Sequence, residues 1–404
     1  MKSRSLSSVA AVALAAVVAL AAWLAGVPRA GAAVGFSEVT GFGSNPGNIR
    51  MFTYIPTGLP SGAPVVVLFH GCGGSAAGLD TQTGWRKYAD LYKFALVMPE
   101  QKQENVGSGG IVPHKCFSVW NEADRTRSGN GEARSVIQMV DYMAANYGSN
   151  MSRVFVTGYS GGGAGTNVML AAYPDRFAAG TVFFGMPYKC ADTEDDYFRT
   201  GTFGPCSGSV SSVTAQQWGD RVRSAHPGYA GPRPKVQIWH GGDDPLINPV
   251  SLERQRDQWT NVFGISAGPV STTNPRPGVV KSVYGAGQVE TWLVQDMGHT
   301  YPVDPGGAEE QCGTTSAGYD LICGPYHAAK FFGLGSGGGP TEPPAQECFT
   351  ATNAAHVSAG RATNRLLSTY ADGSGDYMGP RSSSTQRSLL RTGTDHYELV
   401  DSCP

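Results

Sequence analysis

Gly158-Tyr159-Ser160-Gly161-Gly162 decides how this chain is read. The pentapeptide matches G-x-S-x-G and lies between the strand-forming run Val154-Phe155-Val156-Thr157 and an Ala/Met/Leu-containing helical stretch from about Gly163 to Ala172. A strand that turns sharply into a helix brings its flanking backbones together, so glycines at both ends remove side chains that would clash. Ser160 Oγ would then project above a sheet, and the helix N-terminus would favour negative charge developing beside it. In a chain with 55 glycines the pentapeptide alone also fits an ordinary glycine-rich turn. Its weight therefore comes from its surroundings.

A serine hydroxyl needs a base, and the base needs an orienting group. Downstream, the strand-like run Val236-Gln237-Ile238-Trp239 leads into His240-Gly241-Gly242-Asp243-Asp244, and Glu290-Thr291-Trp292-Leu293-Val294 leads into Asp296-Met297-Gly298-His299. The order Ser160, Asp244, His299 is that of an α/β-hydrolase, with His299 as base and Asp244 fixing its tautomer. Asp243 competes with Asp244 for that role, and a turn-capping use of either aspartate is the structural alternative. Upstream, Val65-Val66-Val67-Leu68-Phe69 reads as a buried strand followed by His70-Gly71-Cys72-Gly73-Gly74. That loop is the candidate oxyanion hole: the Gly161 N–H would supply one donor, and Cys72 or Gly71 the other. A glycine-rich βα loop without that role is the alternative. His70 and His240, each just before a glycine, read as structural or oxyanion-loop residues, and His114, His226, His327, His356 and His396 have no constellation around them.

Between these motifs the chain alternates strands and helices. Trp85 to Tyr92 and Glu132 to Asn146 read as helices, the latter placing Val136, Met139, Val140 and Met143 on one face, and Phe94 to Met98 reads as a further strand. The expected fold is α/β, a sheet covered by helices. The segment Gly71-Cys72-Gly73-Gly74-Ser75-Ala76 lacks the last glycine of a dinucleotide fingerprint, and no phosphate-binding G-x-x-x-x-G-K-[ST] loop occurs.

Composition agrees. The 404 residues carry 30 basic and 32 acidic side chains, a net charge of −2 without the basic footprint of a nucleic-acid reader. Charged residues are 15% of the chain, which argues against a coiled coil or helical bundle, and 41% hydrophobic residues suffice for a core. Lys2 and Arg4 precede an uncharged run from Ser5 to Pro28 and then Arg29-Ala30-Gly31-Ala32. Residues 1–32 thus read as a signal peptide, with a membrane anchor as the alternative, and their removal takes the charge to −5. The processed chain is expected outside the cell or in the periplasm, with no membrane and no nucleic-acid partner.

All eight cysteines, Cys72, Cys116, Cys190, Cys206, Cys312, Cys323, Cys348 and Cys403, follow the leader, as expected for disulfides in an exported protein. Spacing leaves the connectivity open, and the simplest scheme joins 190 to 206, 312 to 323, 348 to 403 and 72 to 116. No CxxC pair or zinc-like Cys/His spacing occurs, so no metal is expected. Residues 33–334 form the expected catalytic domain and 335–346 a Gly/Pro-rich linker. Residues 347–404 form a small module that its terminal cysteines could staple.

These motifs carry a resemblance. Asn45-Pro46-Gly47-Asn48-Ile49-Arg50, His70-Gly71-Cys72, Pro99-Glu100-Gln101, Cys116-Phe117-Ser118-Val119-Trp120, the Ser160 box through Gly163, Trp239-His240-Gly241 and Gly298-His299 resemble secreted polyhydroxybutyrate depolymerases, a family related to feruloyl and acetylxylan esterases. Over residues 36–334 the resemblance implies an α/β-hydrolase fold and carboxylester hydrolysis without a cofactor. It also implies Ser160 as nucleophile, Asp244 as acid, His299 as base and Cys72 as an oxyanion-loop residue bridged to Cys116. The chain departs from the pattern at Gly161, where the family more often has Ala, and in the Asp turn Gly242-Asp243-Asp244-Pro245. Cys348-Phe349-Thr350-Ala351-Thr352-Asn353, Ala359-Gly360-Arg361-Ala362 and Tyr377-Met378-Gly379 resemble a C-terminal module of such depolymerases. A tethered binding unit raises local concentration at an insoluble polymer, and Phe349, Tyr370, Tyr377 and Tyr397 are the expected apolar contacts. The same aromatics could instead form the module's core, and the module could bind carbohydrate. The expected function is hydrolysis of poly(3-hydroxybutyrate) or a similar short-chain polyester. The alternatives are a feruloyl or acetylxylan esterase on plant polysaccharide, and a noncatalytic polymer binder on a hydrolase-like fold. Oligomeric state is not legible.

Overall fold

The computed structural model describes residues 34–102, 115–199, 213–314, 318–335, 348–381, 384–393 and 396–403. The expected leader, nearly all of the expected linker, His114 and Cys206, with its proposed bond to Cys190, lie outside them. The chain divides into two compact units, Met1–Ser336 and Gly337–Pro404.

The first unit is built on strands β1 (Gly35–Val39), β2 (Arg50–Ile55), β3 (Val65–Phe69), β4 (Ala95–Glu100), β5 (Val154–Tyr159), β6 (Ala179–Phe183), β7 (Lys235–Gly241), β8 (Ser271–Arg276), β9 (Val279–Tyr284) and β10 (Val289–Val294). They form one ten-stranded sheet in the order β1-β2-β4-β3-β5-β6-β7-β10-β9-β8. From β4 to β10 all neighbours are parallel, and antiparallel strands finish both edges. A short parallel pair, β11 (Tyr301–Val303) and β12 (Gly318–Asp320), stands beside the sheet's own strands in sequence but is a separate sheet.

The helices are α1 (Ala76–Gln82), α2 (Trp85–Tyr92), α3 (Glu122–Arg125), α4 (Glu132–Tyr147), α5 (Gly161–Ala172), α6 (Glu194–Arg199), α7 (Ala215–Ala225), α8 (Val250–Phe263) and α9 (Gly324–Phe331). Strand side chains alternate between two faces. Val65, Val67, Val97, Val154, Val156 and Ile238 pack with residues of α4, α5, α7 and α8. Val66, Leu68, Leu96, Met98, Phe155 and Trp239 pack with α1, α2 and α9. A parallel sheet covered on both faces explains why the central strands are apolar runs and not alternating ones. This is the α/β-hydrolase architecture expected above. Two bounds shift: β5 runs on to Tyr159 and α5 begins at Gly161, so the turn between them is Ser160 alone.

The second unit has two three-stranded antiparallel sheets. The first comprises β13 (Cys348–Thr352), β17 (Gln386–Gly393) and β18 (His396–Val400), in the order β13-β17-β18. The other comprises β14 (Ala362–Arg365), β15 (Ser368–Ala371) and β16 (Tyr377–Pro380), with α10 (Asn353–Ser358) after β13. A Cys348–Cys403 disulfide ties the ends of the unit. Its core is Ala362, Ala371, Met378, Leu389 and Tyr397, with Phe349, Val357 and Leu399 packed against it. Of the two readings kept for the aromatics, the core one describes Tyr397, while Phe349 is half-buried and packs on that core under the Arg361 guanidinium at 4.2 Å. So small a unit fills its interior with the few large side chains it has. Leu366, Leu367 and Tyr377 are 95%, 83% and 56% exposed, and Tyr377 lies 5.7 Å from the Tyr370 ring.

Candidate active site

The site gathers at the C-terminal ends of the parallel strands, where loops from β3, β5, β7 and β10 converge, as is general for open α/β sheets. Ser160 sits at φ 57° and ψ −121° between β5 and α5. A side chain at that φ is uncommon and signals a conformation imposed by its surroundings. The glycines show what imposes it. A Cβ on Gly158 would stand 2.3 Å from the Gly162 carbonyl oxygen, and one on Gly162 would stand 2.5 Å from the carbonyl oxygens of Phe69 and His70. The Ser160 N–H donates to Phe183 O on β6 at 2.9 Å, and Ser160 O accepts from Ala164 N at 3.1 Å, which fixes the elbow at both ends.

Three of the expected residues meet in one chain of hydrogen bonds. His299 Nε2 is 2.9 Å from Ser160 Oγ, and His299 Nδ1 is 2.7 Å from Asp244 Oδ2. Asp244, not the exposed Asp243, is brought to the imidazole. Its other oxygen, Oδ1, accepts the Leu246 and Ile247 N–H groups, each at 2.9 Å. Burial disfavours its charge, but hydrogen bonds from His240 and His299, the His299 charge and the Ile247 amide outweigh that and hold the carboxyl well below the usual carboxylate range. Asp244 is therefore an ionised acceptor that fixes the proton on His299 Nδ1. The opposite nitrogen, Nε2, is left to accept from the Ser160 hydroxyl.

The glycine-rich loop after β3 flanks this chain. A Cβ on Gly71 would stand 3.3 Å from Ser160 Cβ, and one on Gly161 would stand 3.5 Å from the Cys72 nitrogen. The two backbone amides expected to face a carbonyl oxygen, Cys72 and Gly161, are thus neighbours beside Ser160. Cys72 is bonded to Cys116, and Cys312 to Cys323. The Gly161 position is closed by that first disulfide, since its Cβ would lie 2.6 Å from Cys72 Sγ and 3.1 Å from the Tyr197 hydroxyl.

Several contributors escape a reading of the sequence. His240 is fully buried, with Nε2 placed 2.8 Å from Ile247 O and 3.3 Å from Asp244 Oδ2. The Tyr159 hydroxyl donates to His299 O at 2.8 Å, and its ring lies 5.1 Å from the imidazole. Tyr197, its ring tilted against Trp120 with ring centres 4.9 Å apart, joins Ala164, Met186 and Ile247 in an apolar cluster next to the elbow. Only His240 gave a sequence signal, through its place at a strand end. Of the remaining histidines, His327 packs on Trp239 and Trp292, His226 on Tyr229, and His356 bonds to Arg387 O in the C-terminal unit. Among the described residues no group of three or more His, Cys, Asp or Glu side chains is arranged to hold a metal ion, and no helix is long and apolar enough to cross a membrane.

Comparison with known proteins places this arrangement. The family described as esterase PHB depolymerase matches residues 49–215. Poly(3-hydroxyalkanoate) depolymerase C of Paucimonas lemoignei is 41% identical over 305 residues, 74% of this chain and 70% of that protein. Feruloyl esterase B of Talaromyces funiculosus is 35% identical, covering 74% of this chain and 82% of its own. Among solved structures, an acetyl xylan esterase from Aspergillus awamori superposes with a TM-score of 0.57 at 30% identity, over 66% of this chain and 95% of that one. This chain belongs to the esterase PHB depolymerase family and is a carboxylic ester hydrolase of the serine-hydrolase type.

Proposed function

We propose that the chain is an exported depolymerase of short-chain poly(3-hydroxyalkanoates), with Ser160 as nucleophile, His299 as general base and acid, and Asp244 as the orienting carboxylate. The likeness to the 41% identical depolymerase carries the choice of polyester, and the hydrogen-bonded order Ser160–His299–Asp244 supports the roles. In the forward step Ser160 Oγ attacks the ester carbonyl while its proton passes to His299 Nε2. The tetrahedral oxyanion is held by the Gly161 and Cys72 N–H groups, and the imidazolium returns the proton to the departing alkoxide. Water then attacks the Ser160 ester by the same route and releases the hydroxyacyl product. Disulfides and the leader-like residues 1–32 support export. The C-terminal unit would hold the solid polymer through the exposed Leu366, Leu367 and Tyr377 with Tyr370.

The test is release of soluble 3-hydroxyacid oligomers from a polyhydroxybutyrate film by the protein lacking residues 1–32, beside Ser160→Ala and a form ending at Leu334. Wild type should erode film and Ser160→Ala should not, while the shortened form should keep soluble-ester turnover and lose film turnover. The likeness to the acetyl xylan esterase favours a second reading, in which the acyl group is an acetate on a polysaccharide. Rapid deacetylation of xylan with an untouched film would select it and overturn the polyester.

A further inference from the structure

The His70-Gly71-Cys72 loop and Gln101, at the end of β4, are joined by bonds that the esterase chemistry leaves unexplained. The Gln101 N–H donates to His70 Nε2 at 3.0 Å. A nitrogen that accepts carries no proton, so the neutral ring must be protonated at Nδ1. His70 Nδ1 lies 2.7 Å from Gly71 O, which can only accept, and the Gly74 N–H donates to the same oxygen at 2.9 Å. His70 is buried, with its ring 4.8 Å from that of Phe117, and burial pushes its imidazolium down, in favour of the neutral form.

Gly71 O belongs to the Gly71–Cys72 peptide, and none of the described peptide bonds is cis. In a trans peptide the C=O and the N–H point in opposite directions. Holding Gly71 O towards His70 and Gly74 therefore turns the Cys72 N–H to the other side, where Gly161 and Ser160 lie. We propose that His70 is a positioning residue whose single Nδ1–H tautomer, set by the Gln101 amide, locks the Gly71–Cys72 peptide so that the Cys72 N–H faces the oxyanion. The same glutamine donates from Nε2 to Cys116 O at 3.2 Å and to the buried Glu132 carboxyl. Cys116 is bonded to Cys72. His70, Gln101, Cys116, Cys72 and Gly71 thus close a ring around one peptide group, held by the imidazole on the backbone side and by the disulfide on the side-chain side. The inference rests on the esterase reading and names what aims one of its donors.

The test uses the full disulfide-bonded protein. Nitrogen-15 shifts of the histidine rings, with His70 assigned by its loss in His70→Asn, should show the Nδ1–H tautomer, and an Nε2–H tautomer would overturn the proposal whatever the variants do. In turnover of p-nitrophenyl butyrate, His70→Phe keeps a ring and lacks both nitrogens, so kcat should fall about 100-fold with KM within about twofold, the size of losing one oxyanion donor. A boronic acid that forms a tetrahedral adduct on Ser160 should weaken by a similar factor. His70→Asn, whose amide can donate to Gly71 O, should recover at least about tenfold of the lost kcat. A His70→Phe enzyme within about threefold of wild type, or equal losses in both variants with KM raised, would overturn the role. Fluorophosphonate labelling of wild type and its absence in Ser160→Ala test the esterase reading separately, because they do not depend on His70.

Discussion

Replacing Asp244 by Asn removes a charge and almost no volume, and the hydrogen bonds around it dictate the outcome. Asp244 Oδ1 receives two backbone N–H groups at 2.9 Å and Oδ2 receives His299 Nδ1 at 2.7 Å. An asparagine has one accepting oxygen and one donating NH2. If the NH2 faced the Leu246 and Ile247 amides, both donors would lose their acceptor, the buried Ile247 N–H at a cost of about 1–3 kcal/mol, and the backbone cannot adapt. If it faces His299, the imidazole can adapt by moving its proton to Nε2. The second arrangement wins, and it leaves a donor pointing at Ser160 Oγ where an acceptor is required. A neutral imidazole in the wrong tautomer lowers kcat by about 10⁴-fold in a comparable triad, equivalent to about 5.5 kcal/mol of transition-state stabilisation. The assay is kcat and KM on p-nitrophenyl butyrate at neutral pH, normalised to correctly folded protein, with the exposed Asp243→Asn as control. Asp243→Asn should stay within about twofold of wild type. An Asp244→Asn enzyme within tenfold of wild type would refute the assignment of the orienting carboxylate.

The disulfide against the elbow sets a second outcome. Gly161→Ala would put a Cβ 2.6 Å from Cys72 Sγ, an atom tied to Cys116 and unable to swing away. The overpacking costs about 1–3 kcal/mol, and because it falls between the Cys72 and Gly161 amides proposed to hold the oxyanion, kcat should drop about tenfold or more; unchanged turnover would show that the loop yields freely. Glu132 supplies a pH signature, since burial first and the Asp124 charge second push its carboxyl up to about 8 against hydrogen bonds from Ser118 and Gln101. Its unfolded counterpart titrates near about 4.3, so between those values the folded state binds more protons and loses stability as pH rises. Glu132→Gln should therefore gain Tm relative to wild type between pH 5 and pH 8 by calorimetry, and a pH-independent difference would count against the raised carboxyl. In the C-terminal unit, Leu366→Ser combined with Leu367→Ser should lower adsorption to polyester film several-fold while leaving soluble-ester kcat and Tm unchanged, because both side chains are exposed. Equal adsorption of the double variant and wild type would remove these leucines from the contact.

The central sheet was legible because its strands are buried on both faces. Val65–Phe69 is found with the bounds that its apolar run suggests, and the helix expected over Trp85–Tyr92 has those bounds too. The edges were not legible. Strand β8 reads Ser-Thr-Thr-Asn-Pro-Arg and is exposed at five of its six positions, so it pairs through its backbone with no hydrophobic pattern to announce it. The order Ser160, Asp244, His299 could be read because each residue follows its own strand, whereas the choice between Asp243 and Asp244 depends on a loop that periodicity does not describe. Aromatic residues of the C-terminal unit were ambiguous for a related reason: Tyr397 and Tyr377 are chemically alike, and only the register of β16, β17 and β18 buries one and exposes the other.

Asp244 also shows why opposing a turn residue to a catalytic one is a false choice. Its Oδ1 accepts the amides two and three residues on, as aspartates in turns commonly do. That local capping is what points Oδ2 at His299. The carboxylate is held by its own loop as well as by a long-range partner, so the imidazole meets an acceptor that the loop keeps oriented and ionised. His70 is held in a similar two-ended way, with one nitrogen bound to its own loop at Gly71 and the other to the distant Gln101. In Asp244 one polar atom serves the local turn and its mate serves the imidazole, and in His70 one nitrogen serves its own loop while its mate is fixed by a distant strand end, so groups that stabilise their loops also set the geometry around Ser160. Such pairing is invisible along the sequence, because the local half looks like an ordinary turn and the distant half appears only when β3, β4, β7 and β10 lie in one sheet.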